Sequence, residues 1–357
     1  MKKNFLHSWR FGRRSLGAFL LAFCFYLPGA GYAAVPTECQ PQFGPASQYD
    51  TGTQTSVAVH SSGLILEFHR TQATTIDTAI WYRVGKTDGT NVTWGGSQKS
   101  GVSNGNWPTV GMSKEGHVIA VWSTAKWKFD SDLYYKVGKI DPNGDQNQSI
   151  TWLTESIYWD RGFHSSIAIN DHGWIVGVHE SGSGGNGLYY RVGHLRNPAG
   201  YDYTIQWDSP TWGIYYDEGI NPHIAINNLN EVVQVHQVPS EHLLHYRRGV
   251  INGGTILFEA SRRYDNYAEQ PAVALLDSGL VLEVHSLGGL IYRTGRLSLS
   301  NAEEIEWAEP VKLDDEADIS YPAVAATRTY AVETHLVNGL GEGYQLHFSV
   351  ANTCQSS

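Results

Sequence analysis

One phrase recurs six times along this chain of 357 residues, and self-similarity at such a spacing restricts the fold to a linear array or a closed ring of like units. The phrase opens with an x-Val/Ile-Ala-x run and a Gly turn, then an apolar run that ends in His. A Tyr-Arg-Val-Gly run and a run centred on Trp follow. The first copy reads Ser56-Val57-Ala58-Val59, Gly63 to His69, Trp81-Tyr82-Arg83-Val84-Gly85 and Val92-Thr93-Trp94. Later copies begin at Pro108, Ser166, Pro222, Pro271 and Pro322. The equivalent Ala or Gly stands at 58, 111, 168, 225, 274 and 325, so the steps are 53, 57, 57, 49 and 51 residues.

Each unit is made of short β-branched and aromatic runs separated by Gly, Asn, Asp and Pro, with no helical period. Four such runs per unit predict an all-β chain, a six-bladed β-propeller with four antiparallel strands per blade. A solenoid would need polar caps at its two ends, and none is visible. With 41% hydrophobic, 12% aromatic and 17% charged residues, disorder and coiled coil are excluded. The sixth unit stops after its third run, Leu346-His347-Phe348-Ser349-Val350. Phe43-Gly44 and Tyr49-Asp50-Thr51-Gly52 match Trp94-Gly95 and its downstream turn, so the N-terminal segment is expected to complete the last blade and close the ring.

Ahead of the repeats, Lys2, Lys3, Arg10, Arg13 and Arg14 precede an apolar run from Leu16 to Leu27 and the small-residue stretch Gly29 to Ala34. This order reads as a signal peptide, 1–33, cleaved after Ala33, with 34–357 as a single propeller domain. The apolar run is too short to span a bilayer, and the expected locale is secreted or periplasmic, without membrane insertion. Loss of the five basic residues takes the formal net charge from −10 to −15. A surface that acidic repels phosphate backbones, so nucleic acid is not an expected partner. Two cysteines remain, Cys39 and Cys354, at opposite ends of the mature chain. In an oxidising compartment they are expected to form a disulfide bond.

The repeated polar positions are the candidates for chemistry. The second run ends in His69, His179, His236, His285 and His335, with Trp122 as the exception. Two residues earlier stand Glu67, Ala120, Gly177, Gln234, Glu283 and Glu333, on the same face of a strand. The third run carries Arg83, Lys136, Arg191, Arg247 and Arg293, each after a Tyr, and Ser349 in the last copy. The loops into the next unit contain Tyr49-Asp50, Asn106-Trp107, Trp159-Asp160, Tyr216-Asp217, Tyr264-Asp265, and Asp318 with Tyr321. A residue repeated in nearly every unit can serve the scaffold by satisfying buried groups between blades. It can equally form equivalent ligand sites, with aromatic faces against sugar C–H surfaces and Arg, Glu and His against hydroxyls. Trp94, Trp152, Trp207 and Trp307 read as blade core.

This plan and these residue types resemble the six-bladed fucose-binding lectins of fungi and bacteria, which hold sugars between blades with an Arg, a carboxylate and an aromatic. The resemblance implies a lectin whose ligand-binding residues are His69, His179, His236, His285, His335, Glu67, Glu283, Glu333, Arg83, Arg191, Arg247 and Arg293. More locally, Ala168 to His179 followed by Leu188-Tyr189-Tyr190-Arg191 is similar to the repeat of BNR-type propeller polysaccharide lyases. That likeness implies an enzyme in which Arg neutralises a uronate while His or Tyr moves a proton, with His179, Tyr190, Arg191 and His236 as catalytic candidates. The chain departs from it by repeating the His in five units.

His164, His172, His194, His223, His242 and His245 stand outside the repeated position. His242-Leu243-Leu244-His245 opens a strand, where that spacing sends the two rings to opposite faces, so no metal site is expected. Asp141-Pro142-Asn143-Gly144-Asp145 reads as a turn. Neither a Gly-x-Ser-x-Gly elbow nor the Ser-x-Asp-x-Gly-x-Thr-Trp box of sialidases occurs. The expectation is a secreted, carbohydrate-binding propeller with several equivalent inter-blade sites, without cofactor and leaning away from catalysis. The alternatives are a polysaccharide lyase or other glycan-active enzyme, and a protein-binding scaffold. Oligomeric state is left open.

Overall fold

A computed structural model describes residues 41–353 apart from 73–77, 125–130, 197–202, 211, 317 and 340–342. The segment 1–33 and both Cys39 and Cys354 lie outside the described residues. The described residues form 28 strands and no helix, arranged as a β-propeller of up-and-down antiparallel sheets. Four of the sheets stand alone, with four or five strands each, and a fifth carries nine. Six separate four-stranded sheets were expected. The nine-stranded sheet holds two consecutive repeats because strand Ile157–Ile169 runs through without a break. Its first part pairs with Asp132–Lys139 and its second with Trp174–Ser181.

The Trp-centred run is also not one strand. It splits into a short strand and a second piece, both paired to the third strand, as Val92–Trp94 and Gln98–Ser103 pair to Ala79–Thr87. Gly95-Gly96, Asp208-Ser209-Pro210 and Ala308-Glu309-Pro310 supply the breaks, since proline has no N–H for the ladder and glycine weakens it. The N-terminal segment completes the last sheet as expected. Ser47–Thr51 pairs with Gly343–Asn352 in the register Ser47 to Phe348, and the Gly44 N–H donates to the Val350 carbonyl at 3.1 Å. Gly95 makes the same bond to Val84 at 2.8 Å, which confirms the equivalence of Phe43-Gly44 with Trp94-Gly95.

The first strand of each repeat lies innermost, and each touches the next in chain order until Ile319–Ala326 returns to Thr53–Val59. The core lies between sheets. Tyr135 packs edge-on against Trp207, Tyr190 against Phe258, Tyr246 against Trp307 and Tyr292 against Phe43, with centroids 5.3 to 6.4 Å apart. Such pairs add roughly 0.5–1.5 kcal/mol beyond the area they bury. The tyrosine hydroxyls are fixed by the neighbouring sheet. The amides of Ile150, Ile205, Ile256 and Ile305 donate to Tyr82, Tyr135, Tyr190 and Tyr246 at 3.0 to 3.2 Å. Where the chain has no such amide, Tyr292 donates to the Pro41 carbonyl at 3.2 Å, which ties the N-terminal segment to the fifth repeat.

Tyr246→Phe leaves the buried Ile305 amide without an acceptor. Its expected cost is about 1–3 kcal/mol with no change of fold, read as a lower midpoint in urea unfolding at unchanged slope.

Candidate functional site

The repeated His, Glu, Asp and Arg side chains come together at the junctions between sheets. His69, His179, His236, His285 and His335 are at most 2% exposed, and Glu67, Glu283 and Glu333 are fully buried. Nδ1 of His69, His285 and His335 lies 2.9 to 3.1 Å from the Glu two residues earlier. Nε2 points the other way, toward a carboxylate supplied by the preceding sheet. The distances are 4.0 Å from His69 to Asp50, 3.3 Å from His179 to Asp160, 3.8 Å from His236 to Asp217, 3.6 Å from His285 to Asp265 and 3.5 Å from His335 to Asp314. The same aspartates meet arginine. Arg83 Nε lies 3.3 Å from Asp50, Arg247 Nε 3.4 Å from Asp217, and Arg293 pairs with Asp265. Arg83, Arg191, Arg247 and Arg293 also each donate to the carbonyl just before the aspartate, on Tyr49, Trp159, Tyr216 and Tyr264.

The chain crosses each junction against the ring, so three crossings need glycine. A Cβ at Gly52, Gly162 or Gly219 would come within 2.3 to 2.7 Å of His69, His179 or His236. The junction into the second repeat lacks the ionic set altogether. Gly101 stands for the aspartate, Lys136 for the arginine, Trp122 for the histidine and Ala120 for the glutamate. Lys136 Nζ still donates to the Ser100 carbonyl at 3.3 Å and lies 4.5 Å over Trp152. At the last junction the carboxylate is Asp314, not the expected Asp318.

The expected ligand set therefore lies at five separate junctions between repeats. Its imidazoles offer a ligand almost no surface, while Arg83 and Arg247 keep about a fifth of theirs, 20% each. The lyase candidates are not gathered either. His179 and Arg191 share Asp160, the Tyr190 hydroxyl takes the Ile256 amide, and His236 belongs to the next junction with Asp217.

A second ring, absent from the expectations, lines the axis. The innermost strands each carry a register shift near their start. Within it Gln54, Trp107, His164, Asn221, Gln270 and Tyr321 have φ of 41° to 58°. Six non-glycine residues in the left-handed region, at equivalent positions, cost of order 1–3 kcal/mol each. Neighbouring sheets hold them in pairs. The Trp107 amide donates to Gln54 Oε1 at 2.9 Å, Asn221 to Glu180 Oε1 at 2.8 Å, and Tyr321 to Gln270 Oε1 at 2.7 Å. Together the six surround an axial pocket of about 90 Å³, whose wall includes Pro108, Pro222, Pro271 and Pro322. Trp107 stands edge to face with Tyr321 at 5.1 Å and with His164 at 3.8 Å. His164 Nδ1 lies 2.6 Å from the buried Glu180 carboxylate. The sequence signal for this ring is a position that takes five residue types in six repeats and, in four of the six, precedes a repeated proline.

The junction electrostatics vary with one neighbour. Burial pushes the His69 and His335 imidazoles down, but the adjoining Glu67 or Glu333 and the facing aspartate outweigh it, so both titrate above the usual histidine value. At His236 the neighbour is the neutral Gln234, with the ring 3.1 Å from its Oε1, and burial prevails, lowering the pKa to about 4. His236 is thus neutral in the fold, and its contribution is full above the unfolded value and lost as pH falls from about 6.5 to about 4. His69 and His335 act with the opposite sign, contributing below the unfolded value and losing that as pH rises through their raised folded values.

No family model matches the chain, and no curated protein matches it. Solved structures do. A Dyadobacter fermentans protein of unknown function aligns with a TM-score of 0.61 at 11% identity, over 88% of this chain and 99% of that one. Trypanosoma rangeli sialidase in complex with the inhibitor DANA aligns at 0.57 and 12%, over 85% of this chain and 55% of the sialidase. Penicillium chrysogenum α-L-arabinanase complexed with arabinobiose aligns at 0.56 and 11%, over 88% and 99%. At these identities the likeness establishes the fold.

Gln234→Glu gives the fourth-repeat histidine the carboxylate its counterparts have. The His236 imidazole should then titrate above 6.5 rather than near 4 in an NMR titration, and thermal stability below pH 6 should rise relative to the wild type.

Proposed function

We propose that this chain is an exported six-bladed propeller that binds carbohydrate at the mouth of its axial pocket. The count of six rests on reading the nine-stranded sheet as two blades joined through Gly162, whose amide bond to Ser131 matches those of Gly52 to Tyr344 and Gly219 to Asn186. The junction residues act as scaffold in this reading, because His–Glu hydrogen bonds within a strand and His–Asp approaches of 3.3 to 4.0 Å to the preceding repeat leave the imidazoles almost no surface for a ligand. A Cys39–Cys354 disulfide would then reinforce the seam at which Gly44 already pairs with Val350.

The observation that carries the assignment is the contrast between the two rings. Junction residues repeat, whereas the axial ring carries five residue types at six positions and holds strained backbone, the combination expected of a recognition surface on a fixed scaffold. Its chemistry suits sugars. The flat faces of Trp107 and Tyr321 can cover C–H surfaces, while Gln54, Asn221 and Gln270 offer amides to hydroxyls. The sialidase and the arabinanase that share the fold carry an inhibitor and a disaccharide in their solved structures, which favours a glycan over a polypeptide. A glycan-processing enzyme is the second reading, favoured by His164, a single-copy imidazole held by Glu180 at the same pocket.

A broad glycan array with the wild type and Trp107→Ala tests the proposal. Binding to a defined glycan subset, weakened at least tenfold in the variant at an unchanged melting temperature, is the expected result. Silence of the wild type across the panel, or binding indifferent to Trp107, would overturn it. Release of reducing or unsaturated ends by the wild type, abolished in His164→Ala, would select the enzyme.

A further inference from the structure

The axial pocket shares Gln54 and Tyr321 with a polar cleft of about 520 Å³ between the last repeat and the first. Arg70 stands in this cleft together with Gln72, Asn338 and Tyr344. Its Nε is buried without a hydrogen-bond partner, and no described carboxylate forms an ion pair with it. Arg83, Arg247 and Arg293 all have an aspartate. Asp318 lines the same cleft, exposed, yet makes no ion pair with Arg70. Burial lowers the Arg70 pKa, and the neighbouring Tyr321 works against that.

Arg70 is also unique among the repeats. It follows the repeated histidine, where the other units have Ser123, Glu180, Gln237, Ser286 and Leu336. Glu180, the one carboxylate of that set, is engaged by His164 and the Asn221 amide. The level just outside the axial ring therefore holds one charge that is satisfied and one that is not. A guanidinium that forms no ion pair with the Asp318 of its own cleft, among amides and hydroxyls, fits a planar carboxylate, which it can bind through two parallel N–H···O bonds.

We propose that the Arg70 cleft is a subsite for the carboxylate of an acidic sugar, beside the axial pocket that takes the rest of the glycan. This rests on the carbohydrate-binding reading and narrows it to carboxylated glycans. The formal charge of −10 disfavours loose adsorption of polyanions, so recognition in this reading is local, at the Arg70 guanidinium.

The test measures wild type, Arg70→Gln, Arg70→Lys and Trp107→Ala against oligogalacturonate, alginate, hyaluronan and sialylated oligosaccharides. Each is paired with its carboxyl-reduced counterpart, and dextran sulfate serves as a sulfate control. The expected result is that at least one acidic glycan binds ten-fold or more tightly than its reduced form. Arg70→Gln should erase that difference, Arg70→Lys should keep part of it, and melting temperatures should stay unchanged. Equal binding of acidic and reduced forms, lost in Trp107→Ala but not in Arg70→Gln, would overturn the subsite and leave the axial reading standing. Preference for dextran sulfate over every carboxylated glycan would overturn the carboxylate assignment. Absence of binding to any glycan, neutral ones on the array included, would remove both.

Discussion

The contact on which the rest depends is the bridge between sheets in which an aspartate from one meets a histidine and an arginine from the next. A propeller sheet buries both faces against its neighbours, so apolar packing alone leaves adjacent sheets free to slide. The His–Asp approaches of 3.3 to 4.0 Å, and the bonds of Arg83, Arg191, Arg247 and Arg293 to the carbonyls before four of the five aspartates, restrict that degree of freedom. Buried charges are expensive to desolvate and worth keeping only when fully partnered. The partnering is visible in the exception. Into the second repeat the aspartate, arginine, histidine and glutamate are all replaced together, by Gly101, Lys136, Trp122 and Ala120.

This logic explains what could be read from sequence and what could not. The repeat, the all-β class and the completion of the last sheet by the N-terminal segment were legible, because they follow from runs that recur in the same order every 49 to 57 residues. The splitting of the Trp-centred run was foreshadowed by Gly95-Gly96 and by Pro210 and Pro310, but its pairing depends on three-dimensional register. The histidines were visible as a column, yet whether a column faces solvent or a neighbouring sheet is decided by packing, which leaves no mark on a single strand. The aspartate of the last junction was misplaced for a related reason. Asp314 and Asp318 are four residues apart, and only the ladder of Val311–Asp314 with Leu290–Leu297 selects the first.

The axial ring was missed on more interesting grounds. A search for function among repeated residues favours positions where evolution of the scaffold demands sameness, and Gln54, Trp107, His164, Asn221, Gln270 and Tyr321 have no side chain in common beyond the two glutamines. What they share is backbone: φ near 50° at a register shift. Strained non-glycine geometry has no residue-type signature when the surrounding sheets impose it. The side chains are released from ladder alternation at that point, and all six turn toward the axis around one pocket.

The division between repeated and varied positions also bears on catalysis. A histidine copied into five junctions, and buried in each, lacks the single specialised setting of a lone catalytic base, although its neighbour two residues earlier varies between Glu, Gln and Gly. His164 escapes that argument. It occurs once, its Nδ1 is held by a buried carboxylate, and its Nε2 is buried without a protein partner close to Trp107. A general base must reach the proton it abstracts, and this nitrogen is covered as the pocket stands. Catalysis at the axis would therefore need Nε2 to be uncovered on binding, whereas recognition needs Trp107, its ring 3.8 Å from the imidazole, in place as a stacking face.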